Sequence, residues 1–569
     1  MWVSNSPDTE LLRSISLSGL TSLREEMLVP LTLAASVLLA AYLLRKLYTK
    51  RFEQYAGFPQ HPTSLVLGHL QTVDEFTRKQ PPMAHTDMSF AHMHRVLGRP
   101  PVMLVDLRPV ASCMVVVGSY EIAEQMSKAS DRWPYTPPKV PEIWKNLEYI
   151  TGPRSIISAK GEEWRMLRKR FNPGFAPQNL MKLLPSILDK VSQFVHHLDT
   201  FAHSGEEFSL QSYATDLTFD IIGRVALDAD MRAQEQQPSD FMRVFRTLME
   251  TYAGEALDLP WWCTPLTEWK RYHLHQQVRS SLRKMVHQHH VEGREKGNFS
   301  ILSMSLQDVD SLTPELVDVT CDQLISFLFA GHDTTSTLMS WAFYELSRTP
   351  HALRAVRAEL DELFGSDTDP FAVRAALLAP GGKELIHRMT YTNAVIKEIL
   401  RLWPPGATSR MSSPGDGFTI ATPDGKQLCT DGLMVYIVHH IIQRDPKVFG
   451  DTANYFVPER WLHGAEEIPA GAWRAFERGP RNCIGQELAT IEARVLIALV
   501  ARRFDFMKVG RGAITLDATS NPVVGEHGQY KVTSNLYMVS PLTSALVIIL
   551  HGISFNSSMI DPTGHIKAD

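Results

Sequence analysis

One cysteine in this chain stands among neighbours that could give it chemistry. Cys483 closes the run Phe476-Glu477-Arg478-Gly479-Pro480-Arg481-Asn482-Cys483-Ile484-Gly485, and a helical stretch, QELATIEARVLIALVARRF, follows. The free amides and positive end of a helix N-terminus favour a thiolate over a thiol. Gly479 and Gly485 permit unusual backbone angles and close approach to a bound group, and Arg481 suits a nearby carboxylate. A buried cysteine taken alone is more often a small hydrophobe; Cys113, Cys263, Cys321 and Cys429 are read that way.

Two further groups draw attention. Phe327, Ala330, Gly331, Thr334 and Leu338 recur at helical spacing, with large ends, a small centre and Asp333 beside Thr334. A mid-helix glycine costs about 1 kcal/mol relative to alanine. The stretch is therefore either a loosely packed core helix whose hydroxyl bonds back to a carbonyl, or a local opening beside a flat ligand. From the helix alone the two stand even. Glu398 and Arg401, one turn apart, share a helix face, where an isolated ion pair contributes only about 0.2–0.5 kcal/mol.

The elements that must position these residues are mostly helical. Apolar periodicity predicts helices over 121–127, 162–170, 184–200, 212–226, 272–295, 314–347, 352–363 and 391–402. The longest begins with Thr313-Pro314-Glu315, an N-cap, a first-turn proline and an early acid. Residues 101–117 break into two β-branched runs around Arg108-Pro109 and read as a hairpin; short strand signals return at 417–421, 433–438 and 504–507. No repeat, low-complexity stretch or long spacer appears. The expectation is one large, mainly α domain with a minor antiparallel sheet.

The cysteine run resembles the haem-binding loop FxxGxRxCxG of the cytochrome P450 family at Phe476, Gly479, Arg481, Cys483 and Gly485. Four more matches follow the family's order. AGHDTT from Ala330 resembles its oxygen-activation motif, Glu398 to Arg401 its ExxR, FVPERW from Phe456 its PERF/PERW element, and Trp164 to Arg168 its WxxxR. The resemblance covers about residues 57 to 535. It implies the triangular P450 fold and haem b with Cys483 as the axial thiolate, which pushes electron density to favour O–O cleavage. It implies propionate partners in Trp164, Arg168, Arg410 and Arg481, with Ala330 and Gly331 beside the cofactor. A structural cluster of Glu398, Arg401 and Arg460 would support the cysteine loop. Asp333 and Thr334 would deliver protons to bound dioxygen. The implied activity is monooxygenation with electrons from NADPH through a membrane-bound cytochrome P450 reductase, since the sequence shows no flavin or nicotinamide fingerprint. Arg165, Arg168, Lys169 and Arg170 would make a basic patch for that acidic partner, or a solvated helix face. Pocket walls are expected at 133–157, 241–272, 327–330 and 404–408, where mainly aromatic, aliphatic or small residues favour a lipophilic substrate. The stretches 169–188 and 215–228 look most like fungal microsomal members of secondary-metabolite pathways, including versicolorin-type monooxygenases. A reductase-independent haem-thiolate isomerase or dehydratase, and a non-enzymatic haem-binding membrane protein, are the alternatives; Asp333-Thr334 speaks against both.

Ahead of this body, residues 27–44 (MLVPLTLAASVLLAAYLL) carry no charge and nearly match the bilayer's hydrocarbon thickness. The stronger basic cluster, Arg45, Lys46, Lys50 and Arg51, follows the run. That predicts a retained single-pass endoplasmic-reticulum anchor with 1–26 lumenal, a basic and proline-containing linker over 45–63, and a cytosolic catalytic domain over 64–540. The balance of 57 basic and 62 acidic residues, net −5, argues against a nucleic-acid binder held by bulk charge. Five cysteines are too few and too scattered for a disulfide framework, and no CxxC pair offers a zinc site. The tail over 541–569 departs from the family pattern: its apolar run, 542–550, is too short to span a bilayer. An added strand and a mistranslated end of the gene both stay open there.

Overall fold

The computed structural model describes residues 28, 30–80, 85–131, 133–252, 263–296, 299–534 and 556–560. A helix long and apolar enough to cross a membrane runs over Pro30–Glu53, with its apolar stretch fully uncovered by the rest of the chain. At 1.5 Å per residue it reaches about 36 Å, more than the hydrocarbon core needs. The expected linker is therefore part helix. Lys50 stays exposed, but Arg51 is buried and pinned to Asp106 at 2.6 Å, so the chain enters the body through a fixed joint rather than a spacer.

The first hairpin forms as its β-branched runs require, with strands β1 (Val102–Asp106) and β2 (Cys113–Val117). Beyond it come helices α1 (Gly161–Phe171), α2 (Pro177–Ser204), α3 (Leu210–Leu227), α4 (Pro314–Arg348) and α5 (Thr390–Leu402). Strands β3 (Thr408–Arg410) and β4 (Met434–Ile437) and helix α6 (Gln486–Val500) complete the frame. The four strands form one sheet in the order β1-β2-β4-β3. β2 and β4 run parallel inside it, the other pairs antiparallel, so the minor sheet is mixed. Side chains alternate across it: Leu104, Val115, Val435 and Ile437 enter one apolar cluster, while Met103, Val105, Met114 and Tyr436 enter another. Burial on both faces explains why these strands read as unbroken apolar runs.

α4 begins as its cap residues dictate: the Thr313 hydroxyl accepts from the Leu316 amide at 3.2 Å, with Pro314 in the first turn. It crosses the main core and packs along α3. α2 starts earlier than its periodicity predicts, because Pro177 fills the first helical position while Pro185 sits inside the helix and forgoes one ladder bond. Helices Leu70–Arg78, Thr86–Val96 and Asp240–Glu250 also form where no helix was predicted. At the C-terminal end, Asn556–Ile560 adds a strand antiparallel to Asp505–Lys508 and to Phe208–Ser209; the apolar run 542–550 lies outside the described residues.

Candidate active site

The cysteine loop is built by contacts that tolerate little change. The Cys483 amide donates to the Phe476 carbonyl at 2.8 Å, closing the loop just before α6. Gly479 has φ of +72°, and a Cβ there would lie 1.9 Å from the Ser127 carbonyl oxygen; only glycine meets both demands. Arg474, fully buried, pairs with Glu124 at 2.9 Å and with Glu477, and Arg478 reaches Glu124 at 2.7 Å. These ion pairs fasten the loop to the helix Tyr120–Ser127. Burial pushes the Glu477 carboxyl up, but His439, Arg474 and Arg410 outweigh it and hold it well below the usual range.

Cys483 is crowded by protein atoms, yet the residue keeps accessible surface at the start of α6. Burial raises its proton affinity, while the Gly485 and Gln486 amides and the Arg168 guanidinium oppose that rise. The cations predicted around it do converge. Arg481 stands 4.8 Å over the Trp164 ring and donates to the Ile157 and Ala159 carbonyls at 2.9 and 2.8 Å. Arg168 donates to the Asn482 carbonyl and side chain at 2.7 and 3.0 Å. Arg410 is 1% exposed, and its Nε and Nη2 have no hydrogen-bond partner among the described residues. Burial and the neighbouring Arg410 and Arg168 charges lower Arg481 to about 9. A buried, orphaned guanidinium in a cluster of like charges fits an anionic group with carboxylates, which a porphyrin with two propionates is.

A cavity of about 200 Å³ lies against α4, lined by Phe329, Ala330, Asp333 and Thr334 on one side and Ala407, Thr408 and Ser409 on another. Lys139, Trp144, Leu147 and Ile157 complete its wall. The loop carrying Ile157 is tied to α4 through Gln323, which accepts from the Ile156 amide and donates to the Arg154 carbonyl, both at 2.6 Å. The Thr334 hydroxyl donates to the Ala330 carbonyl at 2.7 Å, and α4 stays helical throughout. The helix therefore carries the back-bonded hydroxyl of one reading and the cavity wall of the other, with no local opening. Two expectations change. Phe327 packs edge-on against Phe171 and Phe175 in the core instead of lining the cavity. Gly331 faces α3, where a Cβ would meet Ile222 at 2.9 Å, so its small size serves helix packing. Of the wall expected over 241–272, residues 253–262 lie outside the described residues. A larger cleft of about 760 Å³, lined by Arg95, Tyr344, Trp403 and Arg444 among others, contains none of the predicted site residues.

Glu398 and Arg401 are fully buried, and Arg460 is partly so. The Glu398 carboxylate accepts from Arg401 Nε and Nη2 at 2.8 Å each, Arg460 Nε at 3.0 Å, the Val457 amide at 3.0 Å and Trp461 Nε1 at 2.9 Å. Burial would raise this carboxyl; Arg401 and Arg460 overcome it and hold it below its ordinary value. Arg401 in turn donates to the Gln443, Ala453 and Tyr455 carbonyls, and the Gln443 side chain receives the Arg474 amide at 2.6 Å. That path connects α5 to the cysteine loop. The basic patch on α1 splits: Arg165 and Lys169 are exposed, but Arg170 turns inward to the Ser305 carbonyl and Thr320 hydroxyl, and Arg168 is held by Asn482. Sequence reasoning passed over Lys139, Asn482, Trp461 and Glu477. Glu477 and Asn482 fall at positions the haem-loop motif leaves free, and Trp461 is the last residue of the PERW element, to which no role was given.

A cysteine at a helix start with Arg168 beside it, and Arg410 and Arg481 close to one another in a mainly α fold, fits a haem-thiolate protein. The cytochrome P450 family model matches residues 66–528. A cytochrome P450 monooxygenase, acrF, of Aspergillus aculeatus is 31% identical over 455 residues, covering 75% of this chain and 89% of that protein. The monooxygenase polC of Polytolypa hystricis is 28% identical over 538 residues, 87% of this chain and 89% of that protein. A bifunctional cytochrome P450/NADPH–P450 reductase of Gibberella moniliformis is 34% identical over 200 residues, 35% of this chain and 16% of that protein. The chain belongs to the cytochrome P450 family and is a haem-thiolate monooxygenase.

Proposed function

We propose that this enzyme inserts one oxygen atom of O2 into a lipophilic organic intermediate of a fungal secondary-metabolite pathway. Electrons come from NADPH through a separate cytochrome P450 reductase, and an endoplasmic-reticulum anchor holds the catalytic body on the cytosolic side. The observation that carries the reading is Cys483 at the start of α6 with Arg168 beside it, together with the buried Arg410 guanidinium, two of whose nitrogens have no partner among the described residues. Cys483 would ligate the iron, and Arg410, Arg481, Trp164 and Arg168 would surround the propionates. The bound haem supplies dioxygen activation. On the cavity side, Trp144, Leu147, Ile157, Phe329 and Ala407 offer apolar contact that excludes water. Thr334 positions a hydroxyl there, with Asp333 one residue away to pass protons inward. Arg165 and Lys169, the exposed members of the α1 patch, suit an acidic redox partner.

The test is Cys483→Ser in the full-length membrane protein. Loss of the thiolate-type Soret band of the ferrous–CO complex, with loss of NADPH- and reductase-dependent turnover, is the expected result. Retention of both by the serine variant overturns the reading. Turnover by the wild type without NADPH and reductase would assign an isomerase instead.

A further inference from the structure

The cleft of about 760 Å³ holds none of the residues that the haem-thiolate reading uses, yet its size is that of a small-ligand site. Its floor is buried and already balanced in charge. Glu345 on α4 is 2% exposed, accepts from Trp403 Nε1 at 2.9 Å and faces Arg348 at 3.8 Å. Trp403 stacks on Trp341 with ring centroids 3.8 Å apart, and Arg444 lies 4.6 Å over the Trp403 ring. Arg444 Nε and Nη2 both donate to the Leu402 carbonyl, at 3.2 and 2.7 Å, so its guanidinium is a fixed plate in the wall. A planar guanidinium of this kind stacks on flat π systems.

The mouth differs. Arg95 and Arg99, at the end of helix Thr86–Val96, and Lys447, on helix Pro446–Phe449, are exposed. Their side chains make no hydrogen bond or ion pair among the described residues. The acids beside them are engaged: Glu121 takes the Ser119 hydroxyl and Asp445 the Lys447 amide at 3.0 Å, leaving Glu467 as the uncommitted one among the described residues of the cleft. His440 joins the same wall. Burial first, then the Arg444, His85 and Arg95 charges, hold it well below its ordinary value, so its imidazole is neutral and offers one N–H. Three uncommitted cations against one uncommitted carboxylate favour an anion at the mouth.

We propose that this cleft is a second ligand site, apart from the catalytic cavity, for a flat aromatic organic anion. The ring system lies on the Arg444 plate, and the anionic group meets Arg95, Arg99 and Lys447. The site does not depend on which cofactor Cys483 holds.

Equilibrium dialysis of 2-naphthoate and of uncharged 2-naphthamide against full-length holoenzyme in phosphatidylcholine nanodiscs, with empty nanodiscs subtracted, tests the proposal. Wild type should bind one naphthoate per chain, about tenfold tighter than the amide, the scale of one charge-assisted hydrogen bond. Arg95→Gln/Arg99→Gln should lose that preference while binding the amide as wild type does, and Lys447→Gln should reduce it. Naphthoate should bind equally with and without a saturating azole haem ligand, and should leave the Soret band unshifted. Absence of saturable naphthoate binding, displacement by the azole, or an unchanged acid-over-amide preference in either variant overturns the proposal. So does a raised KM for the reductase in variants that bind naphthoate normally, which would give these cations to the redox partner.

Discussion

Thr334 shows how one hydroxyl serves a helix and a cavity at once. Its bond to the Ala330 carbonyl satisfies the group inside α4, so removing it leaves no orphan, and alanine is the better helix former. Thr334→Ala should therefore keep its haem and its substrate-induced spectral change. Product formed per NADPH should fall by about a hundredfold, the low end of what a positioned proton-transfer group contributes, with hydrogen peroxide making up the difference. Equal coupling in mutant and wild type would remove Thr334 from proton delivery. The preceding His332 makes a different prediction. It is 5% exposed, packed edge-on against Phe219, and bonded through Nδ1 to the Leu328 carbonyl. Burial pushes it down to about 4. The unfolded chain then binds the extra proton between about pH 6.5 and 4, so stability present at neutral pH is lost as pH falls through that window. The contribution is of order 3 kcal/mol. Denaturant midpoints followed by the thiolate Soret band should drop less steeply on acidification in His332→Asn; parallel slopes would show that the imidazole does not titrate there.

Single residues matter here through the elements they lock. Glu398 receives five hydrogen bonds from α5 and the 457–461 turn, so Glu398→Ala strands two arginines in the interior at a cost of about 3–5 kcal/mol. The expected outcome is protein purified with little haem, not altered kinetics of a full complement; normal haem content per chain would refute the structural role. Gly479→Ala should have the same phenotype from the other end of the path, because the added methyl would collide with the Ser127 carbonyl. These elements were legible because their determinants are local: Thr313-Pro314 starts α4 where it stands, and the cysteine loop fixes five residue types within ten positions. Lys139 was not legible. Among prolines it reads as a solvated loop residue, and only Thr408, 269 residues away in sequence, brings it inside. Arg170 failed for a similar reason: the packing of α1 on Ser305 and Thr320 decides which side of a basic run meets solvent.

At the scale of the molecule, an ion-pair clasp ties the apolar N-terminal helix to the catalytic body. Arg51, at the end of the apolar helix Pro30–Glu53, donates to Asp106 on β1 and to the Leu65, Val66 and Arg108 carbonyls, while Arg108 grips the same carboxylate and the Lys50 carbonyl. Gly68, at φ +57°, leaves the room; a Cβ there would lie 2.7 Å from Arg51 Nη1. Burial alone would raise Asp106, but Arg108 and Arg51 hold it far below the usual carboxylate range, so the clasp is fully charged at neutral pH. With that helix in a bilayer, as proposed above, a rigid joint would carry its tilt to the body and so set the angle at which the cavity and α1 face the membrane. Asp106→Asn leaves Arg51 buried without its counter-charge, an imbalance of about 3–5 kcal/mol, and the joint should loosen. In phospholipid nanodiscs, linear dichroism of the haem band should report one narrow tilt for wild type and a broad distribution for Asp106→Asn. The site lies on other elements, so haem content and the ferrous–CO spectrum should be unchanged. Identical dichroism in the two proteins would mean that the bilayer contact of the body, not the clasp, sets its orientation.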